Sequence, residues 1–303
     1  MKIRAPATSA NLGPGFDVFG LALKEPYDIV EAERIPEKTV RIKLIDGYSV
    51  PLDPQQNTGG YVALRMIEDF NLPEGVELRI WKRIKPGSGL GSSAATAAAA
   101  AYAIDKLFNL NLPVADLVRY AAFGEEVSAG VAHIDNVAPA IYGGFVIAYS
   151  KKPLRIHSIN PPPDLGVVIV LPDAEKGSTR KAREVLPKEV PLESLVHNVG
   201  RASILAAGMA LGSIKMIKEG MQDIVIEPAR SKAGIIPEYE EVKKLGQELE
   251  AGIAVSGAGP AIIGIIERER RRDLAKALKD FYAAKGYRCE VYVTEPGSGV
   301  CEL

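Results

Sequence analysis

The chain has 303 residues, 47% of them hydrophobic and 25% charged, which excludes a disordered or collagen-like polymer and suffices for one large core or two modest ones. Thirty-seven Lys and Arg against thirty-eight Asp and Glu leave a formal charge of −1, so the broad electropositive field that nucleic acid requires is missing. A small-molecule partner is expected, with neither nucleic acid nor membrane. The densest basic stretch, Arg268, Arg270, Arg271 and Arg272, is interleaved with Glu267, Glu269 and Asp273 and reads as a solvated helix face. Two cysteines, Cys289 and Cys301, make neither a disulfide framework nor a metal cluster and suit a reducing, cytoplasmic setting. The longest near-apolar run, residues 94–104, falls well short of the roughly 20 residues that span a bilayer.

In chain order, apolar alternation predicts strands over 17–23, 27–34 and 39–45 of an antiparallel sheet, then a helix over 57–70 with Asn57 near its cap. A strand at 76–84 leads to an alanine-rich helix at 93–108, a second helix at 114–128 and a strand at 144–149. Prolines at 153 and 161–163 then break regular structure, and a domain boundary is expected near 150, dividing 1–150 from 151–303. Beyond it come a strand at 165–171, helices over 179–184, 192–209, through 220 and over 238–250, strands at 253–256 and 261–266, a helix at 268–284 and a strand at 288–294. That order is the ferredoxin-like split βαβ pattern with extra helices inserted, so the whole is α+β in two domains.

The turn after Ile84 carries the chemistry. Lys85, Pro86, Gly87, Ser88, Gly89, Leu90, Gly91, Ser92, Ser93 and Ala94 lie between a strand and the start of the alanine helix. Small residues there let a ligand approach the backbone, and the helix start with its positive dipole end favours phosphate. Two familiar phosphate loops do not fit: no lysine follows Gly91 as a Walker loop requires, and Ser92 stands where a dinucleotide fingerprint needs glycine. Ser92 and Ser93 are also candidates to cap the helix.

Pro86-x-x-Gly89-Leu90-Gly91-Ser92-Ser93-Ala94-Ala95 resembles the phosphate-binding signature of the GHMP kinases, the family of galactokinases, homoserine kinases and mevalonate kinases. Residues 5–17 (APATSANLGPGFD) and 255–261 (VSGAGPA) are similar to the other two signatures of that family, in the same order along the chain. The resemblance implies ATP and Mg2+, and a fold with a left-handed-type βαβ nucleotide site in the N-terminal domain. The segment 133–145 (HIDNVAPAIYGGF) and the opening motif resemble the homoserine kinase branch, which implies phosphorylation of the side-chain hydroxyl of L-homoserine on the route to threonine.

Homoserine carries an ammonium, a carboxylate and a hydroxyl, so acids or amide oxygens and a forked arginine are required. By resemblance Asn11, Asp17, His133, Asp135, Arg183 and Arg230 match homoserine-binding positions, with Arg183 on a helix and Arg230 in a loop; Thr179 matches a residue near the transferred phosphate. Asn11, Thr179 and Arg183 are the implied catalytic set, with Asn11 holding the hydroxyl. Asn136 stands where mevalonate-kinase-like members carry a base, so a dedicated base stays open. Magnesium keeps several waters, and one hydroxyl and one carboxylate suffice. Ser93 and Glu125 fill those roles, Glu125 being eight residues before the motif histidine as the family pattern has it; Glu126, about 100° round the helix, is the alternative. Asn57 is offered to the adenine or ribose, and Lys82 and Lys85 to the nucleotide. His157 and His197 have no such context, whereas Asn198 and Arg201 share a helix with His197 and could face the cleft. A homodimer is expected by analogy. The other readings are a mevalonate-type kinase and a non-catalytic nucleotide-binding regulator.

Overall fold

In a computed structural model the structure describes residues 1–174 and 179–303, with the side chains of 128, 129, 179 and 180 outside the description. The chain opens with β1 (Lys2–Ala10), β2 (Phe19–Ile35) and β3 (Val40–Gly47), then α1 (Thr58–Asp69), β4 (Gly75–Lys82), α2 (Ser92–Leu107), α3 (Val114–Ala129) and α4 (Ile134–Tyr142). A hairpin of β5 (Phe145–Lys151) and β6 (Leu154–Ile159) follows. The second unit is built from β7 (Leu165–Pro172), α5 (Thr179–Glu184), α6 (Leu192–Leu211), α7 (Ile214–Gly220), α8 (Ile226–Lys232), α9 (Tyr239–Glu248), β8 (Gly252–Val255), β9 (Ile262–Glu267), α10 (Arg271–Ala284) and β10 (Cys289–Thr294). The chain then returns to the first unit as β11 (Cys301–Glu302).

The larger sheet has seven strands, ordered β11-β1-β2-β4-β3, with β5 also on β2 and β6 beyond it. It is not wholly antiparallel as expected: β3 runs parallel to β4. The reason is α1, which crosses between them and returns the chain in the same direction, a βαβ unit. The strands expected over 17–23 and 27–34 are one continuous β2. β1 leaves little pattern in the sequence, because its inner half is buried on both faces and shows no alternation, and the pairing with β2 shifts register between Pro6 and Thr8. A boundary at 150 would fall inside the β5–β6 hairpin, whose second strand still belongs to the first sheet.

α2 is buried nearly all round, from Ala94 through Ala101 and on to Ala103 and Ile104. A helix apolar on every side belongs inside, and alanine lets it lie close to β1 and β2 while α1 and α3 pack against it. The sequence disguises the helix α4, because Pro139 within it lacks the N–H that would bond the Asp135 carbonyl. That carbonyl instead abuts Gly20, where a Cβ would overlap it.

The second sheet has the order β10-β7-β9-β8 with every pairing antiparallel, the arrangement expected of the split βαβ pattern. β7 reads as continuous apolar sequence because both its faces are covered. Val167, Ile169 and Leu171 join the core shared with the first unit, and Val168 and Val170 join a second core containing Val242, Leu274 and Tyr282.

Candidate active site

Three glycine-bearing turns meet at the junction of the two units. The Thr8 amide donates to Leu90 O at 3.1 Å, the Ala261 amide to Ser88 O at 3.2 Å and the Gly257 amide to Ala10 O at 3.1 Å. Ser256 Oγ donates to Gly89 O at 2.8 Å. Gly89 and Gly91 take φ of +86° and +61°, and a methyl group on Gly91 would overlap Thr8 Oγ1. Gly91 is the N-cap of α2 and offers no side chain to its first-turn amides, so those donors are open to an anion at the positive end of the helix.

Beneath this turn lies a buried ion pair. Lys82 Nζ bonds Asp28, Ser92 O at 2.5 Å and Thr96 Oγ1 at 2.9 Å, which uses all three ammonium donors. Asp28 Oδ1 also accepts the amides of Arg83 and Ile84 at 2.8 and 2.9 Å, and Ser92 Oγ closes on Ile84 O at 2.8 Å. Burial draws the Lys82 pKa down, opposed by the Asp28 charge. This lysine therefore secures the root of the turn.

A cleft of about 370 Å³ runs from Val50, Gln56 and Asn57 past the turn to Asn11, Asp135 and Arg230. At its far end charge is paired across the cleft. Both Arg183 Nη atoms reach the Asp17 carboxylate, at 3.2 and 2.7 Å, and Lys151 Nζ joins at 3.1 Å. Burial alone would raise the Asp17 pKa, but these two cations hold it below the usual value. Arg230 is buried in α8, with Nε on Ala182 O at 3.2 Å and Nη1 on Gly257 O at 2.7 Å. Asn11 spans the same region: its Oδ1 accepts the Asp17 amide at 3.1 Å and its Nδ2 donates to Gly257 O at 2.8 Å. On α4, Asp135 is buried and its carboxyl is pushed up to about 6, first by burial and then by the Asp17 charge. His133 Nδ1 meets Glu125 Oε2 at 3.1 Å. Burial lowers its pKa, yet the bond to Glu125 and the charges of Glu125 and Asp135 raise it on balance.

The model of the GHMP kinase N-terminal domain matches residues 58–144, and that of the C-terminal region matches 205–284. The chain is 43% identical over 302 residues to the homoserine kinase of Methanococcus vannielii, covering 99% of this chain and 97% of the relative. The crystal structure of homoserine kinase from Cytophaga hutchinsonii superposes with a TM-score of 0.93 at 37% identity, over 99% of this chain and 96% of that one. The chain is a GHMP kinase of the homoserine kinase family. The mevalonate kinase of Methanococcus jannaschii, at 15% identity and a TM-score of 0.73 over 98% of each chain, shares the fold.

In this GHMP kinase the cleft brings together Asn11, Asp17, His133, Asp135, Arg183 and Arg230, along with Asn57, Pro86, Gly87, Gly89, Gly91, Ser92, Ser93 and Glu125. Ser88, Leu90 and Ala94 belong to the turn, but their side chains are buried away from the cleft. Thr179 opens α5 and its side chain lies outside the described residues. Four expectations are corrected. Arg230 sits on a helix, not a loop. Lys82 lines the cleft but spends its ammonium on Asp28, Ser92 O and Thr96, whereas Lys85 pairs with Glu290 at 3.5 Å instead of lining the cleft. Asn198 and Arg201 tie α6 to Asp223 and Glu219 O. Helix α2 is capped by Gly91, not by Ser92 or Ser93. Asn57 is the N-cap of α1, its Oδ1 taking the Gly59 and Gly60 amides and its Nδ2 holding Pro51 O, so it shapes the cleft wall from within. His157 is exposed on β6, away from the cleft.

Sequence reasoning assigned no role to Phe16 or Lys151. Phe16 lay inside the opening motif, whereas only the β5–β6 hairpin brings Lys151 to Asp17. Glu126 is exposed and Glu125 buried in the cleft wall. Among the described residues no group of three or more His, Cys, Asp or Glu is placed to hold a metal by itself. Magnesium held mainly by phosphate and water needs less, and the Glu125 carboxylate and Ser93 both line the cleft beside the phosphate turn. That donor set of hard oxygens fits the ion.

Proposed function

We propose that this chain transfers the γ-phosphoryl group of ATP to the side-chain hydroxyl of L-homoserine, giving O-phospho-L-homoserine and ADP with release of a proton. The observation that carries the reading is the far end of the cleft, where Arg183 and Arg230 stand against Asp17 and Asp135. A zwitterion complements that arrangement: its carboxylate takes the guanidinium forks and its ammonium the acids. Mevalonate and galactose bring no ammonium for the acids.

The first unit supplies the nucleotide end, where the α2 amides and the turn between Lys85 and Ser93 receive the triphosphate. Ser93 and Glu125 would hold magnesium, which when bound neutralises charge on the phosphate oxygens. The second unit completes the acceptor end with Arg183 and Arg230. Asn11 Oδ1 keeps a second lone pair beyond the one given to the Asp17 amide, and that lone pair positions the acceptor hydroxyl. Phosphoryl transfer through a loose transition state rests on positioning and charge compensation, so no strong base is required. The two free thiols, Cys289 and Cys301, suit a cytoplasmic setting.

Purified protein with ATP and magnesium is offered L-homoserine, L-threonine, mevalonate and galactose in parallel, and ADP is measured. Turnover is expected with homoserine above all others. The Arg183→Ala variant should lower kcat/KM for homoserine by a factor of about 30 or more, as loss of one member of a charge-assisted pair does, with KM for ATP nearly unchanged. Preferred turnover of mevalonate, or no acceptor-dependent ADP at all, would reject the reading.

A further inference from the structure

Phe16 lines the cleft between the nucleotide turn and the acceptor end, and it touches both arginines. The Arg183 guanidinium carbon lies 5.4 Å from its ring centroid and the Arg230 carbon 5.5 Å. The two cations share one aromatic neighbour, although like charges repel, and the Arg183 charge further lowers an Arg230 pKa already depressed by burial. The backbone beside the ring is held in turn, because the next residue, Asp17, has φ of +59° with its amide on Asn11 Oδ1.

The other anchors of these arginines are made by their N–H edges. Arg183 spends two on Asp17, and Arg230 spends Nε and Nη1 on main-chain oxygens. An incoming carboxylate also needs N–H edges, and an incoming ammonium draws Asp17 toward itself, so the Arg183–Asp17 contact must be shared when substrate arrives. A contact between a guanidinium and an aromatic ring is made through the ring's π-electrons and consumes no N–H donor. It persists while donors are handed to the ligand.

We propose that Phe16 is a positioning residue that holds Arg183 and Arg230 together by cation–π attraction and so sets the enzyme's affinity for an acceptor bearing a carboxylate. This rests on the homoserine reading above and adds a residue to it. The ring acts through the arginines and takes no part in the transfer itself.

The test replaces Phe16 with phenylalanines carrying one, three and five fluorine atoms, which drain the ring's quadrupole with little change of shape, and with Phe16→Tyr and Phe16→Leu. Wild-type turnover of L-homoserine is measured first, and its failure rejects the homoserine reading itself. Given that turnover, KM for homoserine is expected to climb with each step of fluorination to about tenfold at five fluorines. Phe16→Tyr stays within about threefold of wild type and Phe16→Leu rises about tenfold, while KM for ATP holds steady throughout. Turnover of 3-aminopropan-1-ol, which is homoserine without its carboxylate, should be the same across the series. A flat response to fluorination, or equal losses for homoserine and the carboxylate-free amino alcohol, would overturn the proposal. The fluorinated series settles the matter even if Phe16→Leu does not fold.

Discussion

Asp17 and Asp135 face the same end of the cleft with their pKa values moved in opposite directions. Arg183 and Lys151 keep Asp17 ionised, whereas burial and the Asp17 charge push the Asp135 carboxyl up to about 6. His133 faces Asp135 and is itself drawn upward, so a pH response near 6 belongs to the Asp135–His133 pair. Where the Asp135 charge binds the substrate ammonium, kcat/KM for homoserine should fall as pH drops through about 6, with KM for ATP unmoved, and Asp135→Asn should move that inflection; an unmoved inflection would assign it to His133. Stability carries the reverse sign. The folded state binds the Asp135 proton more tightly than the unfolded chain, so its contribution is fullest below the ordinary aspartate value of 3.8 and is lost as pH rises through about 6. One pKa unit is worth about 1.4 kcal/mol, so denaturant titrations should show Asp135→Asn gaining up to roughly 3 kcal/mol on wild type between pH 3.5 and 7. A constant difference across that range would show that the shift is absent. These residues were legible as chemical types because each sits in a short motif. That Lys82 spends all three donors on Asp28, Ser92 O and Thr96 was not legible, since its partners come from two other elements, β2 and α2, distant from it in sequence.

At the scale of the element, the phosphate turn depends on glycine at one backbone position above all. Gly91 combines φ of +61° with a Cβ position already filled by Thr8 Oγ1, so Gly91→Ala strains the turn by about 1 kcal/mol before any clash is relieved. We expect ATP affinity by calorimetry to fall at least tenfold and the Tm to drop by several degrees; near-normal ATP binding would move the anion site away from α2. The turn and α2 were readable because glycine clusters and an alanine run leave few alternatives. α4 was not, since Pro139 conceals a helix whose buried Val137, Ala138, Ala140 and Ile141 fit it well. Nor was the direction of β3 readable, because strand alternation says which face is buried and nothing about the sense of pairing.

For the molecule as a whole, the two units are sewn together by the returning chain. Gly297 exchanges backbone bonds with Ala22 and Gly144, the Val300 amide donates to Ala140 O, and β11 lies along β1. These contacts brace α4, which carries Asp135. Deleting residues 297–303 should lower the Tm and raise KM for homoserine more than KM for ATP, because α2 and its turn make none of these bonds. Equal effects on both substrates would show that the returning segment stabilises the molecule without tuning the acceptor end. The ferredoxin-like order of the second unit was readable from its strands, but this closure was not, since a two-residue strand leaves almost no pattern.

The return of β11 to β1 also bears on how the protein is made. During vectorial synthesis the earliest strand leaves the ribosome first, yet its outer edge waits for a neighbour translated some three hundred residues later. Throughout elongation that edge presents unpaired amides and carbonyls to the crowded cell, so Ile3 and Arg4 stay open to wrong partners until residues 301 and 302 arrive to cover them.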